Sequence, residues 1–250
     1  MTAEADNRPS PDALLSQAAR EGRGRLKLFL GAAPGVGKTW AMLDDAHRAL
    51  SEGVDVVAAL IETHGRAETQ AKLSGLPQLP RKPVIYRNRA MTEIDLDGLL
   101  ARKPALALID ELAHTNVEGS RHEKRWQDVE EVLAAGIDVY STLNIQHIET
   151  LNETVARITG VRVRETVPDS VMAMADEIEL VDLPPDELVT RLKQGKVYPA
   201  DQASRALSSF FVKGNLTALR ELAMRTAADR VDAQLREHMA ANAISGPWPT

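Results

Sequence analysis

A strand-like run, Leu26-Lys27-Leu28-Phe29-Leu30, leads through Gly31 into Ala32-Ala33-Pro34-Gly35-Val36-Gly37-Lys38-Thr39. Few octapeptides constrain a fold as tightly. The proline and the glycines break the strand, and the residues from Lys38 onward read as a helix. In that setting the backbone N–H groups of the loop can wrap phosphates, the lysine can reach their outer oxygens, and the threonine hydroxyl can ligate Mg²⁺. The positive end of the helix that begins near Gly37 adds to the same field. The segment therefore reads as a P-loop. Ala32 stands where the strict pattern has glycine, and Gly31 falls one residue too early. The candidate nucleotide-binding residues are Ala33, Pro34, Gly35, Val36, Gly37, Lys38, Thr39 and Trp40.

A second motif supports the first. Ala105-Leu106-Ala107-Leu108-Ile109 is a continuous apolar run, as expected of a parallel strand covered on both faces, and it ends in Asp110-Glu111. In a Walker B arrangement Asp110 joins Thr39 in holding Mg²⁺, and Glu111 is placed to polarise an attacking water or hydroxyl. The bland alternative, two surface carboxylates capping a turn, loses weight beside a P-loop.

The rest of the chain alternates in the same way. Further strands are expected at 54–61, 84–86 and 139–143, with a later pair at 161–167 and 177–183. Helices are expected at 38–51, 67–73, 126–135 and 148–158, each closed by a glycine. After Asp182 the pattern becomes helical, at 186–194, at 201–211 and in a long run from Asn215. The expected fold is α/β, a P-loop NTPase-like parallel sheet flanked by helices with a C-terminal helical extension. Its divisions are an N-terminal arm at 1–22, with a short helix near Leu14 to Ala19, a nucleotide-binding core at 23–183, the extension at 184–243 and a linker at 244–250. Phe210, Phe211, Met172 and Met174 read as core.

Ligands of open parallel sheets lie beyond the carboxyl ends of the strands, which makes other strand ends worth weighing. Asn144, after the strand at 139–143, is the candidate to sense a terminal phosphate or orient water, with Gln146 and His147 behind it. Glu62-Thr63-His64-Gly65-Arg66 could touch substrate, although spacing alone favours an ordinary polar loop. Arg121, Lys124 or Arg125 could stabilise phosphate charge, although such a run is more often a solvated helix start. The catalytic candidates are Glu111, Lys38 and Asn144. His64, His114 and His147 lack the spacing of a zinc site, so Mg²⁺ is the one metal expected.

Composition narrows the class. The chain has 250 residues, 44% hydrophobic and 26% charged, with a formal net charge of −6. Such a charge argues against nucleic acid as a partner, including a nucleic-acid motor of the RecA-like kind. Cysteine is absent, which excludes disulfides and a thiol nucleophile and suits a cytoplasmic setting. No stretch approaches the roughly twenty apolar residues of a membrane helix, so no membrane contact by this chain is expected.

Several motifs together resemble one family. They are Gly31 to Thr39, Glu62 to Arg66, Asp110-Glu111-Leu112-Ala113-His114-Thr115-Asn116, Thr142-Leu143-Asn144-Ile145-Gln146-His147, Val163 to Asp169, Leu183 to Glu187 and Gly214 to Leu222. Between about 23 and 232 the chain is similar to the cytosolic N-terminal domain of the KdpD family, the osmosensitive potassium sensor histidine kinases of bacteria. The resemblance implies an ATP-binding regulatory domain of a two-component system, coupled to downstream domains of the full-length sensor and through them to a response regulator. Family members are anchored in the inner membrane through those later domains, and residues 244–250 fall about where the next domain begins. No phosphoacceptor-histidine helix is present, so histidine autophosphorylation is not expected of this chain. A dimer is left open. The alternative is an autonomous phosphotransferase acting on Ser or Thr, or an ATPase, using Lys38, Asp110 and Glu111.

Overall fold

The computed structural model describes residues 21–242 and 244. The expected short helix in the N-terminal arm and nearly all of the 244–250 linker lie outside these residues. Five strands form the main sheet: β1 (Leu26–Gly31), β2 (Val56–Leu60), β5 (Leu106–Ile109), β6 (Asp138–Asn144) and β7 (Glu177–Val181). They run in the order β2-β5-β6-β1-β7, and all four pairings are parallel. Parallel strands are covered on both faces, which is why β1, β2 and β5 are buried at every position.

Side-chain alternation divides the core in two. Phe29, Val56, Leu106 and Leu108 point to the face covered by α1 (Lys38–Ser51) and α2 (Ala67–Leu73), meeting Met42, Leu43, Ala46 and Leu73. Leu26, Leu28, Leu30, Ala107, Ile109 and Val139 point to the opposite face. There they pack with α3 (Leu96–Arg102), α4 (Arg125–Ala134), α5 (Glu149–Thr159), α7 (Pro185–Lys193) and the long α9 (Lys213–Ala241). The extension is thus part of the core, contributing Leu188, Leu192, Phe211, Leu216 and Leu219. Among the described residues, no helix is long and apolar enough to cross a membrane.

Three expectations needed correction. The strand at 84–86 is not part of the main sheet. It belongs to an antiparallel hairpin of β3 (Lys82–Tyr86) and β4 (Arg89–Glu93). Residues 161–167 alternate valine and arginine but form no strand, because β7 already occupies the edge beside β1. Val167 makes only an isolated bridge with Ile148. Two short helices, α3 and α6 (Asp169–Met174), were not anticipated. Between α7 and α9, α8 (Ala200–Leu207) ends four residues before the expected 211.

Candidate functional site

Strand order sets the site. With β6 inserted between β1 and β5, the end of β6 lies between the loop after β1 and the acidic pair after β5. The loop at 32–37 turns from β1 into α1 through Gly35 at φ 89° and Gly37 at φ 107°, both left-handed. Gly37 also stands at the N-cap of α1. No side chain caps this end and no acid sits in its first turn. The helix therefore presents uncapped N–H groups and the positive end of its dipole to the cleft. Ala33 and Val36 are buried, whereas Pro34, Gly35, Lys38 and Thr39 line the cleft.

Lys38 is 9% exposed. Burial pushes its pKa down to about 8. Among the described residues, its Nζ has a single hydrogen-bond partner, Asn144 Oδ1, which is neutral. Among the described residues, no carboxylate forms an ion pair with it, although Asp110 and Glu111 act on it at longer range. A buried ammonium with no carboxylate in direct contact is costly, and an anion placed there lowers the cost.

Asp110 is fully buried. Its carboxylate accepts from Thr39 Oγ1 at 3.1 Å, Thr142 Oγ1 at 2.5 Å, the Glu62 N–H at 3.2 Å and the Glu111 N–H at 3.0 Å. Burial raises its pKa despite those bonds. A hydroxyl and a carboxylate side by side are the hard oxygen donors that Mg²⁺ takes, so these residues fit that ion. Glu111 sits at φ 55° and hydrogen-bonds His64 Nε2 at 2.7 Å, with His64 itself at φ 49°. Two non-glycine residues in this region, paired with each other, make a strained corner at the cleft. Burial acts upward on the Glu111 carboxyl, but the bond and charge of His64 hold it below its usual range. The same bond raises His64.

The structure thus brings Lys38, Thr39, Asp110, Glu111 and Asn144 together, and it adds His64 and Arg66 from the loop before α2. The arginine candidates after Asp110 are corrected. Arg125 is 1% exposed and bonds the Asp110 carbonyl at 3.0 Å and Glu93 at 3.3 Å, a structural tether. Arg121 pairs with Asp97 and Glu131, and Lys124 donates to Thr115. None of the three faces the cleft.

Sequence reasoning missed the roof. The turn after α7 brings Val197, Tyr198 and Pro199 over the loop, and α8 adds Gln202. A β-carbon on Gly35 would lie 2.5 Å from Val197 Cγ2. Arg66 Nη2 reaches the Val197 carbonyl at 3.5 Å, and Glu68 accepts Lys196 at 2.8 Å. The one local signal, an aromatic-proline pair following Gly195 between two helices, does not say which surface the turn covers. Beneath the roof the cavity measures about 490 Å³, and His114, Gln146, His147 and Glu165 complete its wall.

Comparison with known proteins shows the family of the chain. The family model of the osmosensitive K⁺ channel His kinase sensor domain, KdpD, matches residues 22–231. The chain is 60% identical over 229 residues to "Sensor protein KdpD" of Escherichia coli (strain K12), covering 92% of this chain and 26% of that protein. It is 51% identical over 232 residues to "Sensor protein KdpD" of Clostridium acetobutylicum, covering 91% and 26%. It is 52% identical over 220 residues to "Putative sensor protein KdpD" of Synechocystis sp., covering 88% and 60%. The chain therefore spans about a quarter of the length of the first two relatives.

Proposed function

The chain belongs to the family of osmosensitive K⁺ channel His kinase sensor domains, KdpD, and from that premise we propose that it binds ATP with Mg²⁺ between α1 and Asp110. On this reading occupancy of the site sets the output of the sensor kinase in which such a domain resides, and through it of a response regulator. One observation carries the proposal. Lys38 is a buried cation whose one hydrogen-bond partner among the described residues is a neutral carboxamide, at the uncapped N-terminus of a helix that follows a glycine-rich turn. That arrangement is built for polyphosphate, the P-loop reading of the sequence.

Each residue has a role in this reading. The loop N–H groups from Gly35 to Thr39 bind the phosphates, and Lys38 bridges the outer two. Thr39 and Asp110 hold Mg²⁺, which when bound neutralises charge between the phosphates. Asn144 keeps the Lys38 ammonium aimed and reports on the terminal phosphate. A regulatory site needs only differential affinity for two conformations, and the roof of Val197 and Tyr198 gives the site a part that can differ between them.

A second reading, slow ATP hydrolysis or phosphoryl transfer, is favoured by Glu111. This carboxylate lines the same cavity and is held ionised by His64, so it can accept a proton from a water or hydroxyl beside the terminal phosphate.

Calorimetric titration of ATP with Mg²⁺ into the chain and into Lys38→Ala tests the primary reading. Saturable binding that disappears in Lys38→Ala is expected. Equal affinity of the two proteins would overturn it.

A further inference from the structure

The cleft does not stop at the phosphate loop. Past Thr39 it opens into a second lobe of about 420 Å³, within the roughly 300–1,000 Å³ typical of small-molecule sites. One wall is Trp40, in the first turn of α1, and another is the start of α2. The third belongs to the extension, with Arg191 of α7 and Lys196 and Tyr198 of the turn after it. Gly35, Lys38 and Thr39 line both lobes, so a molecule in one can be covalently continuous with a group in the other.

Two observations mark this lobe as prepared for a ligand. Trp40 is 46% exposed, a large aromatic surface left open at the rim of a cleft, and Lys72 Nζ stands 4.6 Å from its ring centroid. Arg66 Nε and Arg191 Nε are both buried and without a hydrogen-bond partner among the described residues. Buried donors are nearly always satisfied, and unpaired ones point to a missing acceptor. An exposed π-face together with unpaired donors fits a group that is flat, aromatic and rich in acceptors.

We propose that this second lobe receives the base and ribose of the nucleotide, with Trp40 as the stacking face and Arg191 of the helical extension as a donor to their ring or hydroxyl oxygen and nitrogen acceptors. The inference rests on the nucleotide-binding reading above, and it makes α7 and the turn after it a working wall of the site. Geometry favours this lobe over the cavity beneath the roof. The cavity lies beyond Lys38 on the side of Glu111 and His147, where a terminal phosphate points, whereas Trp40 follows Thr39 on the helix that holds the other end of the chain of phosphates.

The test compares ATP with inorganic tripolyphosphate, each with Mg²⁺, as ligands of the 250-residue chain. Trp40→Ala and Arg191→Ala should each weaken ATP binding, by roughly tenfold for the stacking residue, and leave tripolyphosphate affinity unchanged within about twofold. Lys38→Ala should weaken both ligands. Tryptophan fluorescence should change with ATP and not with tripolyphosphate, and the change should vanish in Trp40→Ala, an exposed position whose loss leaves folding intact. Unaltered ATP affinity in Trp40→Ala, or equal loss of both ligands, overturns the base-pocket assignment while leaving the phosphate site standing. Undiminished binding of ATP by Lys38→Ala would instead remove the phosphate site on which it rests.

Discussion

Val197 occupies the space that a side chain on Gly35 would need, its Cγ2 lying 2.5 Å from the position of that missing β-carbon. A residue of the C-terminal extension thus rests on the backbone of the loop between β1 and α1. Gly35→Ala has to overcome both that overlap and a left-handed φ of 89°. Strain of this kind and overpacking each cost about 1–3 kcal/mol. Thermal unfolding of Gly35→Ala should therefore fall well below that of the parent. Val197→Ala removes two buried methyl groups and should cost about 2 kcal/mol, measurable as a shifted urea midpoint.

Lys38→Met should separate ligand binding from stability. The substitution keeps an unbranched side chain and removes a buried ammonium that no carboxylate among the described residues contacts directly, so the nucleotide-free protein should melt at or above the temperature of the parent. The stabilisation that ATP gives the parent should be absent from the variant. A large drop in melting temperature without ligand would mean that Lys38 is held by interactions other than its bond to Asn144.

Glu111→Gln should leave Mg²⁺-dependent ATP binding within about twofold and reduce any phosphate release by at least a hundredfold, the usual scale of a general base. Phosphate release unchanged in that variant would exclude Glu111 as the base. Asp110→Asn is the complement. Its amide turns a donor toward the Thr39 and Thr142 hydroxyls and the two N–H groups that now donate to the carboxylate, so both stability and the response of ATP affinity to Mg²⁺ should fall. Chelation of Mg²⁺ should then lower ATP affinity in the parent far more than in Asp110→Asn.

Acid should expose the support beneath the site. Glu93 is 3% exposed, and it accepts from the Val117 N–H, Arg125 and His114. Burial raises its pKa, yet those partners hold it below the usual value of 4.5. A carboxyl lowered in the folded state binds its proton more readily when unfolded, so its contribution is complete above pH 4.5 and is lost as pH falls through the folded value. Glu93→Gln should be less stable than the parent at pH 7, and the difference should narrow in that acid window. A constant difference across the window would remove Glu93 from the account.

Much of the fold was legible because the informative residues are neighbours in sequence. Lys38 to Ser51 was expected as a helix and is one, since its glycine entry and apolar stripe are local signals. Asp110 and Glu111 follow a run apolar on both faces, and Asn144 ends a strand that the same logic locates. β4 escaped because four of its five residues are exposed, leaving no alternation to read. Val161 and Val163 misled for the opposite reason. Their alternation with Arg162 and Arg164 imitates a strand, but the segment joins no sheet and makes only the Val167 bridge to Ile148. His64 and Arg66 were visible as residue types, yet nothing in their spacing separates a cleft from a loop. The meeting of Gly35 with Val197 joins positions more than 160 residues apart, a distance that no local pattern spans.

Arg125 gives the two sides of the cleft unlike mechanical characters. Its buried guanidinium clasps the Asp110 carbonyl and Glu93, so the side bearing Asp110 and Glu111 is anchored by bonds that water and salt do not reach. The opposite side rests on the buried packing of Leu188, Leu192 and Val197 and adds an exposed carboxylate, Glu68, paired with Lys196 and Arg191, where dissolved ions weaken attraction. The two sides of the cleft are therefore tied in unlike ways, one through a buried guanidinium and the other partly through exposed ion pairs that added salt screens.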